Sequence, residues 1–312
     1  MRSNVDEGIR VGGTIREDKK MALKIITDSA SDLPDHIAKE FGVTVIPTPV
    51  VIDGVDYFDG KTIMPKEFYG LLREGVEVKT FHINAHMFRE QFEPYAKNKD
   101  ELIYLCFSTG IAGTFNAANI ARNELLEEYP DFDLTIIDSK SASIGFGLVV
   151  YKALKMLSNQ VDKQTILDAI HFNINHMEHI FTVETLDYLY RGGRLSRGSA
   201  IAGGLLDIKP IIEVDDQGAL VAIEKVRGRA KSLKRMVELV GERGEMLQTQ
   251  TIGLVHGDDY GTLQKVKDML TERYGCRNFI ENYVGCAIGA HTGPGIIGIT
   301  FLSEDSPFEK YW

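Results

Sequence analysis

Ser108, Thr109 and Gly110 follow an apolar run over 102–107 and precede a helix expected from Thr114. Two hydroxyls, a glycine that lets the backbone approach a ligand, and the N–H groups that open a helix together favour an anion. In open α/β sheets ligands sit at the carboxyl ends of strands, where this turn would lie. The segment lacks GxxxxGK, so it is not a Walker loop, and it is not a GxGxxG fingerprint. It contains no Lys or Arg, which suits a singly charged carboxylate better than a triphosphate. Helix capping by Ser108 and Thr109 accounts for the same residue types, and the spacing leaves both readings open.

Other groups qualify by type. Asp28-Ser29 and Asp138-Ser139, the latter before Ser141 and Ser143, can cap helices, close Asx turns or shape a pocket rim. His291-Thr292-Gly293-Pro294-Gly295 builds a rigid loop that aims its histidine, and an imidazole can donate to a carboxylate. It is equally consistent with a turn histidine that meets no ligand. His36, His86, His171, His176, His179 and His256 show no metal spacing and read as surface or helix-packing residues. Arg191, Arg194 and Arg197 form one basic cluster; Arg227, Arg229, Lys231, Lys234 and Arg235 form another. Each is either a solvated face or a docking or phosphate-contact surface. No GxSxG elbow or HExxH pair is present, and Gly110-Ile111-Ala112-Gly113 lacks the central serine of acyl transfer. Binding is therefore expected, with no catalytic residue and no metal ligand assigned.

The elements that must position these groups follow from periodicity. Strands are expected over 22–27, 43–52, 102–107 and 134–137, alternating with helices over 34–41, 64–74, 85–95, 114–128 and 145–157. Asp32 and Asn84 are the expected N-caps, Gly42 and Gly75 the expected stops. This alternation implies a parallel, Rossmann-like sheet. From helix 163–177 onward the pattern changes. Strands over 179–183, 211–214, 219–225, 251–256, 279–284 and 296–301 surround helices 229–242 and 260–274, and Asp215-Asp216-Gln217-Gly218 marks a hairpin. The fold class is α/β in two domains: an N-terminal parallel-sheet domain over 22–160 and a C-terminal α+β domain with a mixed or antiparallel sheet over 161–312. Residues 1–21 read as a disordered extension ahead of a start near Met21.

The chain has 312 residues, 44% hydrophobic and 26% charged, with formal net charge -10. That length favours two domains. The negative charge argues against nucleic-acid and anionic-membrane partners. No apolar run approaches the ~20 residues that span a bilayer. Cys106, Cys276 and Cys286 have no CxxC spacing and fit reduced thiols in a cytoplasmic protein.

Taken in order, several motifs resemble the DegV family of bacterial fatty-acid-binding proteins. They are Thr27-Asp28-Ser29-Ala30-Ser31-Asp32-Leu33-Pro34, Ser108-Thr109-Gly110-Ile111-Ala112-Gly113-Thr114 and Asp138-Ser139-Lys140-Ser141-Ala142-Ser143-Ile144-Gly145. Later come Leu186-Asp187-Tyr188-Leu189 with Arg191-Gly192-Gly193-Arg194, Arg227-Gly228-Arg229-Ala230-Lys231, and the His291 loop. The resemblance implies a long-chain fatty acid, such as palmitate or oleate, in an apolar tunnel between the domains, with no cofactor. Its carboxylate would be held at Ser108-Thr109-Gly110, with Thr80, Ala112, His291 and Thr292 nearby. It would be presented to a separate ATP-binding fatty acid kinase subunit that forms an acyl phosphate. Arg194 and Arg227 would contact that partner or the acyl phosphate. The chain departs from the family pattern at Ala112, where a serine is usual, and at Phe81 and His82. Two other readings remain. One is a phosphotransferase or hydrolase using Asp28, Asp138 and His291 on a small hydroxylated substrate. The other is a lipid-sensing regulatory module that docks through the basic clusters.

Overall fold

The computed structural model describes residues 22–195 and 207–311. Its first strand, β1 (Leu23–Asp28), leads through a 3-10 turn into α1 (Asp35–Phe41) and β2 (Thr44–Ile46). Next come β3 (Pro49–Ile52), β4 (Val55–Phe58), α2 (Pro65–Glu74), β5 (Val78–Thr80), α3 (Ala85–Asn98), β6 (Glu101–Cys106), α4 (Thr114–Glu128), β7 (Leu134–Asp138) and α5 (Ser143–Ser158). Strands β2-β1-β6-β7 form a four-stranded sheet, parallel throughout. The expected strand over 43–52 is two strands. Pro47 and Pro49 cannot donate to a continuous ladder. The chain leaves the parallel sheet after Ile46 and turns into a separate antiparallel sheet, β4-β3-β5.

The later half comprises α6 (Lys163–His176), β8 (Met177–Thr182), α7 (Asp187–Gly192), β9 (Ile208–Val214), β10 (Leu220–Arg227), α8 (Arg229–Arg243), β11 (Thr251–His256), α9 (Tyr260–Tyr274), β12 (Asn278–Tyr283), α10 (Cys286–Thr292) and β13 (Ile297–Leu302). Its sheet runs β10-β9-β8-β13-β11-β12, antiparallel except for β11 with β12. The hairpin expected at residues 215–218 joins β9 to β10.

Local end signals act as read: Gly42 and Gly75 close α1 and α2 in the left-handed region, and the Asn84 side chain accepts from the Met87 N–H at 3.0 Å. Asp32 does not cap α1, which starts after Pro34. Instead Asp32 takes a left-handed conformation, and its carboxylate accepts from Ser143 and from the Gly285 N–H.

Helix α5 is buried on almost every face, so it needs cover all round. It gets it from β1, α1 and α6 (Lys163–His176) and from β8, β11, β12 and β13 of the later sheet. One apolar core, including Ile103, Leu105, Leu148, Val149, Phe181 and Val255, therefore runs from the parallel sheet through α5 into the six-stranded sheet. The three-stranded sheet and α2 pack on α10 through Val50, Ile52, Phe68, Tyr69, Cys286 and Ala287. The cavity described next lies between the two large sheets.

Candidate ligand-binding site

A cavity of about 200 Å³, open to the centres of water-sized molecules, lies where the carboxyl ends of β1 and β6 face the six-stranded sheet. That is more than ten times the space one water needs. Most of its wall is apolar, from Phe107, Ile111, Phe181, Leu220, Val255 and Ile288 among others. Phe81 and His82 also line it and are exposed, Phe81 to 55%, so the mouth opens on their side.

A polar group stands at one end. Thr80 Oγ1 and His291 Nε2 share a 2.7 Å hydrogen bond, and both residues line the cavity. His291 is not in a loop, as the sequence suggested, but in the last turn of α10. Seven residues with an internal glycine give too weak a local signal to call a helix. Its start is fixed from far away: Asp59 accepts from the Cys286 and Ala287 N–H groups at 2.8 and 3.1 Å. Burial and the nearby Arg194 charge push the His291 pKa down to about 4, so the imidazole is neutral at physiological pH. Arg194 also lines the cavity, and its Nη1 donates to the Gly192 carbonyl at 2.6 Å. Ala112 and Thr292 line the cavity, and the Thr292 hydroxyl donates to the Ile288 carbonyl at 3.3 Å. Helix α4 begins at Thr114, as expected, with Gly113 as its N-cap and no side chain capping it. Its first N–H groups are thus left to ligand or water.

The Ser108-Thr109-Gly110 turn has the expected strand–turn–helix form, but these three residues do not line the cavity. Ser108 is fully buried; its Oγ donates to the Gly218 carbonyl at 2.7 Å and accepts from the Gly110 N–H at 3.2 Å. Thr109 Oγ1 donates to Asp138 at 2.5 Å. Gly110 lies against the backbone of Gly218, where an added Cβ would come within 2.5 Å of the carbonyl carbon. The Ser108 hydroxyl and Gly110 thus seat the β9–β10 hairpin, Thr109 holds Asp138, and the next residues along, Ile111 to Thr114, reach the cavity.

The residues of the enzymatic reading do not converge. Asp28 lines the cavity, yet its carboxylate accepts from Tyr104 at 2.7 Å and from the Ala30 and Phe107 N–H groups at 3.1 Å each. Burial pushes its pKa up to about 6. Asp138 accepts from Thr109 and from the Lys140 N–H, away from the cavity wall. Among the described residues no cluster of three or more His, Cys, Asp or Glu side chains could hold a metal ion. The second basic cluster is largely paired: Arg235 binds Glu224 at 2.8 Å and Glu242 at 2.6 Å, and Arg229 faces Glu184 at 3.2 Å. Arg227 is exposed at the end of β10, outside the cavity. Arg197 lies outside the described residues.

The sequence reading missed His179. It is not a surface or helix-packing residue: it sits on β8, is buried, and lines the cavity. Strand alternation shows which residues share its face, but not that this face meets a cavity.

The model of the DegV family, described as uncharacterised proteins, matches residues 22–304. The chain belongs to the DegV family. A DegV domain-containing protein of Clostridium perfringens is 39% identical over 282 residues, covering 90% of this chain and 97% of that one. A solved fatty acid binding DegV family protein of Streptococcus agalactiae is 29% identical, with TM-score 0.80 over 91% of this chain and 100% of its own. A Thermus thermophilus DegV family protein, solved in a study of fatty acid binding, is 26% identical, with TM-score 0.80 over 90% and 99%. These matches establish the mixed α/β, two-domain DegV fold. Among the described residues no helix is long and apolar enough to cross a membrane.

One DegV-fold histidine offers a direct test of burial. Burial drives the His179 pKa down to about 4, outweighing a smaller opposing effect of the Met177 carbonyl. The folded state thus binds fewer protons than the unfolded chain between about pH 6.5 and 4. Stability tied to neutral His179 is complete above pH 6.5 and is lost as pH falls through that window. In urea titrations, the stability of wild type relative to His179→Gln is expected to shrink by up to about 3 kcal/mol from pH 7 to pH 4. A constant difference would show that the imidazole is hydrated.

Proposed function

We propose that this chain binds a long-chain fatty acid in the inter-sheet cavity and presents its carboxylate at the mouth, acting as a carrier and not as an enzyme. The observation that carries this reading is an apolar cavity with the Thr80–His291 hydrogen-bond pair and the Arg194 guanidinium at one end. An acyl chain matches the apolar wall. About sixteen buried methylenes contribute on the order of 10 kcal/mol at about 0.8 each, before association and ordering terms. The polar end then fixes orientation. The Thr80–His291 pair, with one hydrogen held in its mutual bond, has one donor left for the carboxylate; the uncapped start of α4 adds backbone N–H groups, and Arg194 supplies the charge that the Ser108-Thr109-Gly110 turn lacks. Ala112 provides a methyl and no hydroxyl there, which shifts head-group recognition toward Thr80 and His291.

The solved relatives described as fatty acid binding support this reading. A cavity mouth where a carboxylate stays reachable also suits a partner that phosphorylates it. We place an ATP-binding fatty acid kinase subunit on the Arg194 and Arg227 side in this reading. Protein purified from a bacterial host is expected to release a long-chain fatty acid on solvent extraction, read by mass spectrometry. After delipidation, Thr80→Val and His291→Ala are each expected to weaken oleate binding about tenfold. An extract free of acyl ligand, together with no uptake of added oleate, would overturn the proposal.

A further inference from the structure

The far end of the cavity is not wholly apolar. Ile296, Gly298 and Thr300 line it in succession along β13 and the residue before it. At about 3.3 Å per residue, Thr300 lies roughly 13 Å beyond Ile296, away from Thr292 and His291. On β8 the paired residues are Phe181 opposite Gly298 and His179 opposite Thr300. Thr300 and His179 are therefore side by side on one sheet face, 4% and 5% exposed. His179 Nε2 shares a 2.6 Å hydrogen bond with Ser141 Oγ. Thr300 Oγ1 has no hydrogen-bond partner, and His179 Nδ1 has only the Met177 carbonyl beside it, outside hydrogen-bond geometry. Two unpaired polar atoms on a cavity wall are unfavourable unless something enters the cavity to meet them. The backbone makes room for one of them: on β11, Gly253 pairs with Thr300, and a Cβ at Gly253 would overlap the Thr300 hydroxyl.

We infer that Thr300 and His179 form a second polar subsite, which takes an oxygen substituent, a hydroxyl or oxo group, on the middle or tail of the acyl chain. This rests on the fatty-acid reading above and adds ligand class to it. Thr300 Oγ1 can donate or accept, and a neutral imidazole offers a second contact without placing a charge in an apolar cavity. The preferred ligand is thus an oxygenated fatty acid. A plain saturated chain fits the same space but leaves both atoms unpaired.

The test is a binding series on the delipidated full chain: stearate against hydroxystearates carrying the hydroxyl at successive carbons from mid-chain to tail. At least one isomer is expected to bind about tenfold more tightly than stearate. Thr300→Val should erase that preference, read as the ratio of hydroxystearate to stearate affinity within each protein, and Thr300→Ser should keep it. Stearate binding with no preferred isomer, including the case where a trapped water satisfies the two atoms, overturns the subsite and leaves the carrier reading intact. A preference that survives Thr300→Val also overturns it. Failure of stearate and all hydroxystearates to bind overturns both.

Discussion

Gly298→Leu is expected to reduce long-chain fatty acid affinity by close to a thousandfold while the protein stays folded. Gly298 sits midway along the cavity, between Ile296 near the polar end and Thr300 at the far end. A leucine at this strand position branches into the space an acyl chain needs. The nearest obstacle to its Cβ is Val255 Cγ2 at 2.9 Å, the tip of a side chain that can rotate. Stopping the chain there forfeits the burial of about five methylenes, about 4 kcal/mol at 0.8 each. Short-chain acids, which do not reach this point, should bind almost as before. Oleate and hexanoate titrations of wild type, Gly298→Ala and Gly298→Leu, with melting curves for each, check this. Equal oleate affinity in all three would mean that the acyl chain does not run along β13.

Gly110→Ala is expected to destabilise the protein by about 2–3 kcal/mol, a large effect for one methyl group. Gly110 has no left-handed backbone to protect, since it is absent from the positive-φ glycines. The effect is steric. The new Cβ would lie 2.5 Å from the Gly218 carbonyl carbon and oxygen and 2.8 Å from the Ala219 nitrogen, all backbone atoms that cannot rotate aside. The hairpin has to lift, breaking the Ser108–Gly218 hydrogen bond and the contact from Lys140 Nζ to the Asp216 carbonyl, 3.1 Å long. Overpacking of this kind typically amounts to 1–3 kcal/mol, and the buried Ser108 hydroxyl loses its acceptor as well. Urea denaturation gives the loss directly. Because Val214 and Leu220 flank this turn and line the cavity, the variant should also release bound lipid faster. Wild-type stability in Gly110→Ala would show that the hairpin does not rest on this turn.

Both predictions turn on contacts that no local pattern announces, and that separates what was legible in the sequence from what was not. Period-two and period-3.6 patterning, with glycine stops and an asparagine cap, depends on a few neighbouring residues. It therefore located β6, α4, the β9–β10 hairpin and most other elements. Patterning did not single out the site residues: Arg194 and His291 stood out by residue type, and Thr80, Ala112 and Thr292 came forward through the family resemblance. The three-stranded sheet escaped because Pro47 and Pro49 look like the irregular middle of one strand. Whether they bend a strand or divide it depends on which sheet each half joins.

The sequence by itself determined the order and type of the elements, because backbone propensity and amphipathic period are properties of short segments. It also determined that an acidic chain of this length, 44% hydrophobic, would bury a sizeable α/β core. The tertiary structure alone decided what each polar residue is for. Ser108 finds its acceptor 110 residues away at Gly218, Thr80 its partner 211 residues away at His291, and α10 its cap 227 residues away at Asp59. A hydroxyl or carboxylate has the same chemistry whether it holds a ligand or another strand. Only packing, which sets its nearest neighbour, chooses between them. On that basis Ser108 and Gly110 seat the hairpin and Thr109 holds Asp138, while Thr80, Arg194 and His291 line the cavity.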